Sequence, residues 1–215
     1  MVNNVLIIPD LHTPFTNKQA LQHCKATYKK YKCNKVIFIG DVIDNAATTH
    51  FGANPDGMSP IDELSSAIKQ LKPWYKAFPN ATVTIGNHEE RLFKMFKKVA
   101  IAGQWLKSFS EVLGVPGWEF VNEVTIDNIR YIHGEGCSST IQALYQSKGS
   151  IVFGHFHSRF ELIYNQDKFG MCVGWLGDQD AYAFDYSRNT LKKGILGCGV
   201  VLNDGTLPIL IKLNN

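Results

Sequence analysis

Short, compact runs of apolar residues recur along the first half of the chain, separated by longer and more polar stretches. The runs NVLII, KVIFI and ATVTI occupy residues 4–8, 35–39 and 81–85. Continuous apolar runs of this length are typical of strands that are covered on both faces. Because a helix-permissive stretch separates the first run from the second, the pattern predicts a strand-helix-strand unit with parallel strands.

Three longer stretches have helical character. Residues 17–31 are predicted to form a helix with Asn17 as its N-cap, and residues 61–76 a second helix that ends near Pro79. Residues 89–113 form a third, amphipathic stretch. Its apolar face consists of Leu92, Phe93, Phe96, Val99 and Ala100, and its cationic face of Arg91, Lys94, Lys97 and Lys98. We interpret the cationic face as a solvated surface, with contact to a nucleic-acid backbone as the alternative.

The second half of the chain has the pattern of antiparallel hairpins. The segment VTIDNIRYIHG is predicted to turn at Asp127-Asn128, and the segment GVVLNDGTLPILIKL at Asp204-Gly205. Aspartate, asparagine and glycine favour these turns because they tolerate positive φ angles. The first half is therefore expected to be richer in parallel strands and the second half in antiparallel ones.

Composition narrows the class of protein without indicating an activity. Of the 215 residues, 45% are hydrophobic and 19% are charged, which is ordinary for a globular domain. No apolar stretch approaches the roughly 18 residues that a membrane span needs, and no linker or repeat interrupts the chain. We therefore expect one domain over residues 1–215, in a cytoplasmic protein with no membrane contact. The formal net charge of +3 permits an anionic substrate.

Candidate metal ligands stand at the carboxyl ends of five predicted strands. The segments are Asp10-Leu11-His12, Gly40-Asp41-Val42-Ile43-Asp44, Gly86-Asn87-His88-Glu89, His133-Gly134 and Gly154-His155-Phe156-His157. In open α/β sheets the ligand site lies at this end of the strands, so the five segments are expected to converge. Carboxylates, an amide oxygen and imidazoles suit a pair of divalent cations, and are too rich in nitrogen for a dedicated calcium site.

Two pairs of these residues are spaced two positions apart. Asp10 and His12 form the first pair, and His155 and His157 the second. In an extended backbone, residues two apart point to the same side, so each pair is expected either to hold one cation or to straddle two. A carboxylate such as that of Asp41 can bridge two cations about 3.5–4 Å apart, the separation typical of hydrolytic two-metal sites.

Taken in order, the motifs resemble those of the calcineurin-like metallophosphoesterase superfamily. The matching positions are Asp10-x-His12, Gly40-Asp41-x-x-Asp44, Gly86-Asn87-His88-Glu89, His133 and Gly154-His155-x-His157, so the resemblance covers residues 10–157 directly. It implies an α/β fold, namely a four-layer α/β/β/α sandwich with two mixed sheets. It also implies a binuclear metal site at the carboxyl ends of the strands.

The resemblance further implies a role for each motif residue. One metal would be held by Asp10, His12 and His157, the other by Asn87, His133 and His155, and both by Asp41. His88 would stay off the metals and protonate the leaving group, while Asp44 would orient its imidazole and keep it charged. The expected cofactors are two divalent metal ions. Mn²⁺ is favoured, with Fe, Ni or Zn as alternatives, because such a ligand set follows metal availability as much as preference.

These roles describe a two-metal-dependent phosphoesterase that hydrolyses phosphodiester or phosphomonoester bonds with a metal-generated hydroxide. Protein Ser/Thr phosphatases of the superfamily carry Asp-Arg-Gly where this chain has Asp44-Asn45-Ala46. The missing arginine favours the stand-alone phosphodiesterase or nucleotidase branches, with nucleotide-like substrates. Arg91 is a candidate replacement for that arginine, and His50, in the loop after Asp44, is a second candidate for contact with the substrate.

Other functions are left open by the sequence. A nuclease acting on DNA or RNA would benefit from the cationic face, and Trp175 would then be either a packing residue or a platform for a base. A protein phosphatase and a non-catalytic scaffold are the remaining alternatives. The complete ligand set together with His88 argues against a scaffold.

Overall fold

The computed structural model describes residues 2–48, 54–187 and 193–214. Its strands are β1 (Val5–Ile8), β2 (Lys35–Phe38), β3 (Ala81–Thr84), β4 (Trp118–Val121), β5 (Glu123–Ile126), β6 (Ile129–Ile132), β7 (Ser150–Phe153), β8 (Phe160–Asn165), β9 (Lys168–Val173), β10 (Gly197–Leu202) and β11 (Leu207–Lys212). Its helices are α1 (Ala20–Lys30), α2 (Pro60–Ala77), α3 (Asn87–Lys98), α4 (Phe109–Leu113) and α5 (Thr140–Gln146). Short 3₁₀ segments cover Ala46–Thr48, Gly103–Trp105 and Tyr182–Ser187.

The strands form two mixed sheets. The first has the order β11-β10-β1-β2-β3-β4, in which β1 to β4 are parallel and β10 and β11 antiparallel. The second has the order β5-β6-β7-β9-β8, in which β6, β7 and β9 are parallel and the edge strands β5 and β8 antiparallel. The parallel unit formed by β1, α1 and β2 is confirmed. The second half of the chain also contains parallel pairs, which its hairpin pattern did not predict.

Side chains that alternate along β1 enter two different cores. Leu6 and Ile8 pack beneath α1 and α2 together with Leu71, whereas Val5 and Ile7 pack between the two sheets. Because neighbouring residues of a strand point to opposite faces, a strand covered on both faces must be apolar at every position. Burial between two layers therefore explains the compact apolar runs of the sequence.

Helix α5 covers the outer face of the second sheet. Its residues Ala143 and Leu144 pack with Ile151, Phe153 and Cys172 in a third, smaller core. The layers therefore follow the order α1 and α2, first sheet, second sheet, α5. This arrangement confirms the predicted fold class, a four-layer sandwich with two mixed sheets.

The first two predicted helices are present, but one predicted cap is wrong. Helix α1 begins after Gln19, because Asn17 forms a turn of its own: its side-chain Oδ1 accepts the N–H of Gln19 at 2.9 Å. Helix α2 begins at Pro60 after Ser59, whose hydroxyl accepts the N–H of Asp62 at 3.3 Å. Among the helices of the described residues, none is long and apolar enough to cross a membrane.

The third amphipathic stretch is divided into separate elements. Helix α3 ends at Lys98, and Ala100 takes a φ of 55°, which the next turn of a right-handed helix cannot accommodate. Val99 is therefore 66% exposed, and the placement of Val99 and Ala100 on the apolar face was wrong. The other apolar residues, Leu92, Phe93 and Phe96, are half-buried, and Lys94, Lys97 and Lys98 are exposed as predicted.

Both predicted hairpins are confirmed. Strands β5 and β6 are joined by Asp127 and Asn128, which have φ angles of 52° and 60°. Strands β10 and β11 are joined by a turn in which Asn203, Asp204 and Gly205 have φ angles of 54°, 52° and 90°. These residue types enter the left-handed region at little cost, which is why the turns could be located from the sequence.

Candidate metal centre

The predicted ligands converge at one end of the two sheets. They lie in the segments that follow β1, β2 and β3 of the first sheet and β6 and β7 of the second. The residues brought together are Asp10, His12, Asp41, Asn87, His133, His155 and His157. The cluster therefore forms where the two sheets meet, and both sheets contribute side chains to it.

A first group of candidate ligands consists of Asp10, His12 and His157, whose donor atoms lie within 4.8 Å of one another. The Nε2 atoms of His12 and His157 are 3.0 Å apart, and His157 Nε2 lies 3.4 Å from Asp10 Oδ2. Two ligand atoms that each lie about 2.1 Å from a metal ion, with a ligand–metal–ligand angle of about 90°, are about 3.0 Å apart. The donor set and its spacing therefore fit a transition-metal ion.

A second group consists of Asn87, His133 and His155. Asn87 Oδ1 lies 2.9 Å from His133 Nε2 and 3.0 Å from His155 Nδ1, and those two nitrogens are 3.2 Å apart. His133 donates through its other nitrogen, Nδ1, to the carbonyl oxygen of Ile39 at 2.7 Å. Because a carbonyl can only accept, Nδ1 carries the proton and Nε2 is free to bind a metal.

Asp41 lies between the two groups. Its Oδ2 atom is 3.3 Å from His133 Nε2 of the second group and 3.9 Å from His12 Nε2 of the first. Its other oxygen, Oδ1, accepts the backbone N–H of His88 at 2.9 Å. One carboxylate oxygen therefore faces both groups while the other fixes the orientation of the side chain, as a bridging ligand requires.

The buried carboxylates of the centre attract positive charge. Burial alone would raise the pKa of Asp41, but the imidazoles of His133, His88 and His12 hold that pKa well below its usual range. Burial opposes protonation of His133, yet Asp41 and Asp10 raise the pKa of this residue to about 10. A site that retains a proton so strongly is one in which a bound cation would take the place of the proton.

The backbone around the candidate ligands is not extended. His12, Asp41 and His155 have φ angles of 49°, 46° and 67°, in the left-handed region that non-glycine residues rarely adopt. The assumption of extended backbone for the two spaced pairs was therefore wrong. Asp10 and His12 face the same group, whereas His155 and His157 are divided between the two groups.

Two glycines of the motifs are required by close approach to these side chains. A Cβ atom at Gly86 would overlap Oδ1 of Asp41, and a Cβ atom at Gly154 would overlap Oδ1 of Asp10. The backbone N–H next to Gly154, that of His155, donates to Asp10 Oδ2 at 3.0 Å. The glycines thus allow two strand ends to approach the carboxylates that the site uses.

His88 lies beside the two groups, but its contact with Asp44 differs from the expected one. Asp44 Oδ1 is 2.6 Å from Nδ1 of His12 and 3.4 Å from Nδ1 of His88, and Nδ1 of His88 bonds to the backbone carbonyl of Asp44. The carboxylate of Asp44 therefore orients mainly His12. Burial lowers the pKa of His88, with His12 and Arg91 acting in the same direction against Asp41 and Asp44. Asp44 thus acts on the pKa of His88 in the expected direction, but burial outweighs its effect.

Arg91 approaches His88 from helix α3. Its Nη1 donates to the carbonyl oxygens of Asn45, at 2.7 Å, and of Asp44, at 3.3 Å, while Nη2 lies 3.4 Å from Nδ1 of His88. Asn45 in turn donates from Nδ2 to the carbonyl of His88 at 2.9 Å. The guanidinium is thus held next to the centre by the loop in which the expected arginine is missing. The other candidate for substrate contact, His50, lies outside the described residues.

Glu89 is a buried residue of the centre to which no role was assigned from the sequence. Its Oε1 accepts the N–H groups of Val42 and Ile43 at 2.8 and 3.2 Å, and its Oε2 those of Asp41 and Gly86 at 2.9 and 2.8 Å. The signal that could have found it is a glutamate three residues after the N-cap of a helix, here Gly86. Burial beside Asp41 raises its pKa to about 7, yet with two donors on each oxygen the ionised form fits the contacts.

We predict that Glu89→Gln destabilises the fold by about 2–3 kcal/mol. The new NH₂ group would face two backbone N–H donors, which leaves buried donors without an acceptor. Equilibrium unfolding in urea measures the effect. Glu90→Gln is the matched control, because the Glu90 side chain is 42% exposed and Lys94 is its one ion-pair partner among the described residues, so we expect a change of about 0.5 kcal/mol or less. Equal stabilities of the two variants would show that Glu89 does not hold the Asp41 segment.

Trp175 packs against a candidate ligand. It is buried, and its ring stacks on that of His157 with centroids 4.4 Å apart and planes at 11°. Phe184 contacts the indole edge-on at 4.9 Å. The predicted packing role of Trp175 is confirmed. Because His157 occupies one face of the indole, the alternative of a platform for a base is not supported by these contacts.

Comparison with known proteins gives one family and several similar structures. A family model described as calcineurin-like phosphoesterase matches residues 4–182. The structure of vacuolar protein sorting 29 from Cryptosporidium parvum aligns with 100% of this chain and 93% of that chain, at 13% identity and a TM-score of 0.59.

Two bacterial structures are also similar, with lower scores. Nuclease MPE from Pseudomonas putida aligns with 96% of this chain and 87% of that chain, at 14% identity and a TM-score of 0.43. The phosphoesterase Yfce from E. coli aligns with 97% of this chain and 100% of that chain, at 12% identity and a TM-score of 0.44. No curated protein sequence matched this chain. At such identities the solved structures bear on the fold alone.

Proposed function

Because this chain belongs to the calcineurin-like phosphoesterase family, we propose that it is a metal-dependent hydrolase of phosphate esters. The observation that carries the proposal is the meeting of two three-residue ligand groups that share the Oδ2 atom of Asp41. Five separate strand ends supply these side chains, an arrangement that a purely structural role does not require.

Two divalent metal ions are the proposed cofactors, and the side chains present fit them. Asp10, His12 and His157 would hold one ion, Asn87, His133 and His155 the other, and Asp41 both. When bound, such ions would supply a hydroxide nucleophile near neutral pH and neutralise charge on the phosphoryl oxygens. Mn²⁺ is the first choice, with Fe, Ni or Zn as alternatives, because such a ligand set follows metal availability as much as preference.

His88 is the proposed proton donor to the leaving oxygen. Its imidazole is 16% exposed and stands next to Asp41, so it borders the space that a substrate would enter. Nδ1 is engaged by the carbonyl of Asp44, which leaves Nε2 to face the substrate. The negative charge of a bound phosphate would raise the pKa of His88 by direct attraction, against the lowering caused by burial. The ring would then be a proton donor near neutral pH.

Arg91 is the proposed contact for the phosphate group. Its Nη1 is occupied by the carbonyls of Asn45 and Asp44, whereas Nη2 points toward the His88 ring without a carboxylate partner among the described residues. A guanidinium held in this way is pre-organised to donate to a phosphate oxygen. We propose nucleotide-like esters as the substrate class, with diesters preferred to monoesters.

Removal of divalent metal is predicted to lower hydrolysis of bis-p-nitrophenyl phosphate by about 100-fold or more, since the proposed nucleophile depends on the ions. Dialysis against a chelator followed by addition of Mn²⁺ should restore the rate. The same assay should be run with p-nitrophenyl phosphate, cyclic nucleotides and dinucleotides. Comparing the rates on the monoester with those on the diesters shows which class the enzyme prefers. Hydrolysis that continues undiminished in the chelator would exclude the proposed function.

A further inference from the structure

One face of helix α3 carries cationic side chains that begin at the metal centre. Asn87, Arg91, Lys94 and Lys98 follow one another at intervals of four, three and four residues, so with 3.6 residues per turn they share one face. Asn87 belongs to the second ligand group, and Arg91 lies beside His88. We call Arg91, Lys94 and Lys98 the cationic stripe.

The cationic stripe lies on the outward side of the helix. The opposite side carries Glu89, which is fully buried, together with Leu92, Phe93 and Phe96, which are half-buried. The ring of Phe93 contacts that of Phe109 in helix α4 at 5.1 Å. Packing therefore fixes the rotation of the helix, and with it the direction in which the stripe faces.

The charges of the stripe are only partly compensated. Lys94 is half exposed and pairs with Glu90 at 2.9 Å and Glu135 at 3.6 Å. Lys98 is exposed and forms no ion pair with any described residue, and the partners of Arg91 are carbonyl groups rather than carboxylates. Exposed ion pairs such as those of Lys94 are weak and can be exchanged for a phosphate. The stripe therefore keeps a net positive charge next to the centre.

We propose that the cationic stripe holds the sugar-phosphate backbone of a single-stranded nucleic acid whose reacting phosphodiester lies at the metal centre. This inference rests on the proposed function, because hydrolysis of a phosphodiester defines where the strand begins. From Asn87 to Lys98 the helix rises by about 16 Å, which is longer than a mononucleotide and suits a polymer with regularly spaced phosphates.

The exposed side chains on α3 and in the segment that follows it favour a nucleic acid over other anionic partners. Trp105, in the 3₁₀ segment shortly after α3, is 85% exposed, and an exposed indole stacks on any base. A helix that lies in a membrane surface would present an apolar face outward. In α3 the outward face is cationic, and among its described residues Met95 is the exposed large apolar one. The exposed apolar residues Val99 and Ile101 follow the end of the helix.

Binding of a short fluorescein-labelled single-stranded DNA, measured by fluorescence anisotropy in a chelator, tests the inference without turnover. Lys94→Gln combined with Lys98→Gln should weaken binding about 25-fold at about 0.1 M salt and reduce the log-log salt slope by about 1.4. Lys25→Gln combined with Lys29→Gln is the matched control, since these exposed lysines have the same spacing on α1 and the same charge is lost. We expect this control to bind like the wild type.

A second arm separates a nucleic acid from a partner recognised by charge alone. Trp105→Ala removes an exposed side chain and should weaken DNA binding about tenfold. Inorganic polyphosphate should compete poorly with the DNA for the wild-type protein. The inference is overturned if the Lys94 and Lys98 variant binds like its control. It is also overturned if polyphosphate, or vesicles of anionic phospholipid, displace the DNA while Trp105→Ala has no effect.

The result remains distinct from that of the proposed function. Hydrolysis of bis-p-nitrophenyl phosphate with Mn²⁺ is measured on the same wild-type protein. Hydrolysis without stripe-dependent DNA binding would refute the inference alone. Stripe-dependent binding in a protein that hydrolyses no ester would refute the proposed function and the placement of a reacting phosphodiester at the centre, while the contact between the stripe and the nucleic-acid backbone would stand.

Discussion

Asp41→Asn is expected to lower turnover of a phosphodiester by about a thousandfold or more and to reduce the bound metal well below two equivalents. The Oδ2 atom of Asp41 faces both His133 and His12, so its negative charge serves both groups at once. An amide in the same place is neutral and binds cations more weakly. Metal content is measured by elemental analysis after gel filtration, and turnover with bis-p-nitrophenyl phosphate.

This variant should keep its fold. Asparagine retains a side-chain oxygen that can accept the N–H of His88, the contact that Asp41 Oδ1 makes at 2.9 Å. Asp167→Asn, in the exposed turn between β8 and β9, is a control with the same chemical change. If Asp41→Asn protein held two metal equivalents and turned over like the control, the bridging role of Asp41 would be refuted.

His88→Ala is expected to leave the metal content unchanged and to slow hydrolysis of esters with poor leaving groups by about 100-fold to 10,000-fold, the usual range for a general acid. The imidazole belongs to neither proposed metal set, and its Nε2 lies 3.9 Å from Asp41. An alkoxide needs a proton as it departs, whereas p-nitrophenolate is stable without one. The loss should therefore be much smaller for p-nitrophenyl esters.

The comparison of two leaving groups in one variant supplies its own control. A general loss of folding or metal would slow both substrates equally, while loss of a proton donor slows mainly the poor leaving group. Full activity of His88→Ala on alkyl esters would exclude His88 as the acid. Together with Asp41→Asn, this variant separates metal binding from proton transfer.

Much of the fold could be predicted because its signals are local. The runs that became β1 and β2 are apolar at nearly every position, since both faces of those strands are covered, and the run that became β3 alternates threonine with apolar residues. The hairpin turn at Asp127 and Asn128 could be placed because those residues accept positive φ. The family of the chain could also be predicted, because the motif residues stand in a characteristic order along the sequence.

Features that depend on contacts between distant residues were missed. The break at Ala100 is not marked by glycine or proline, and the apolar pattern continues past it. Three of the four backbone bonds of Glu89 come from a loop almost fifty residues away, and the stacking of Trp175 on His157 joins two different segments. None of these contacts leaves a periodic trace along the chain.

The sequence by itself determined which residues stand at the strand ends, because residue type and spacing are properties of the linear chain. Only the tertiary structure decided how those residues are divided. His155 and His157 face different groups because the backbone turns left-handed at His155, and the Asp44 carboxylate bonds His12 rather than His88 because His12 Nδ1 lies nearer. Differences in distance of less than about 1 Å select such partners, and they arise from the packing of two sheets against each other.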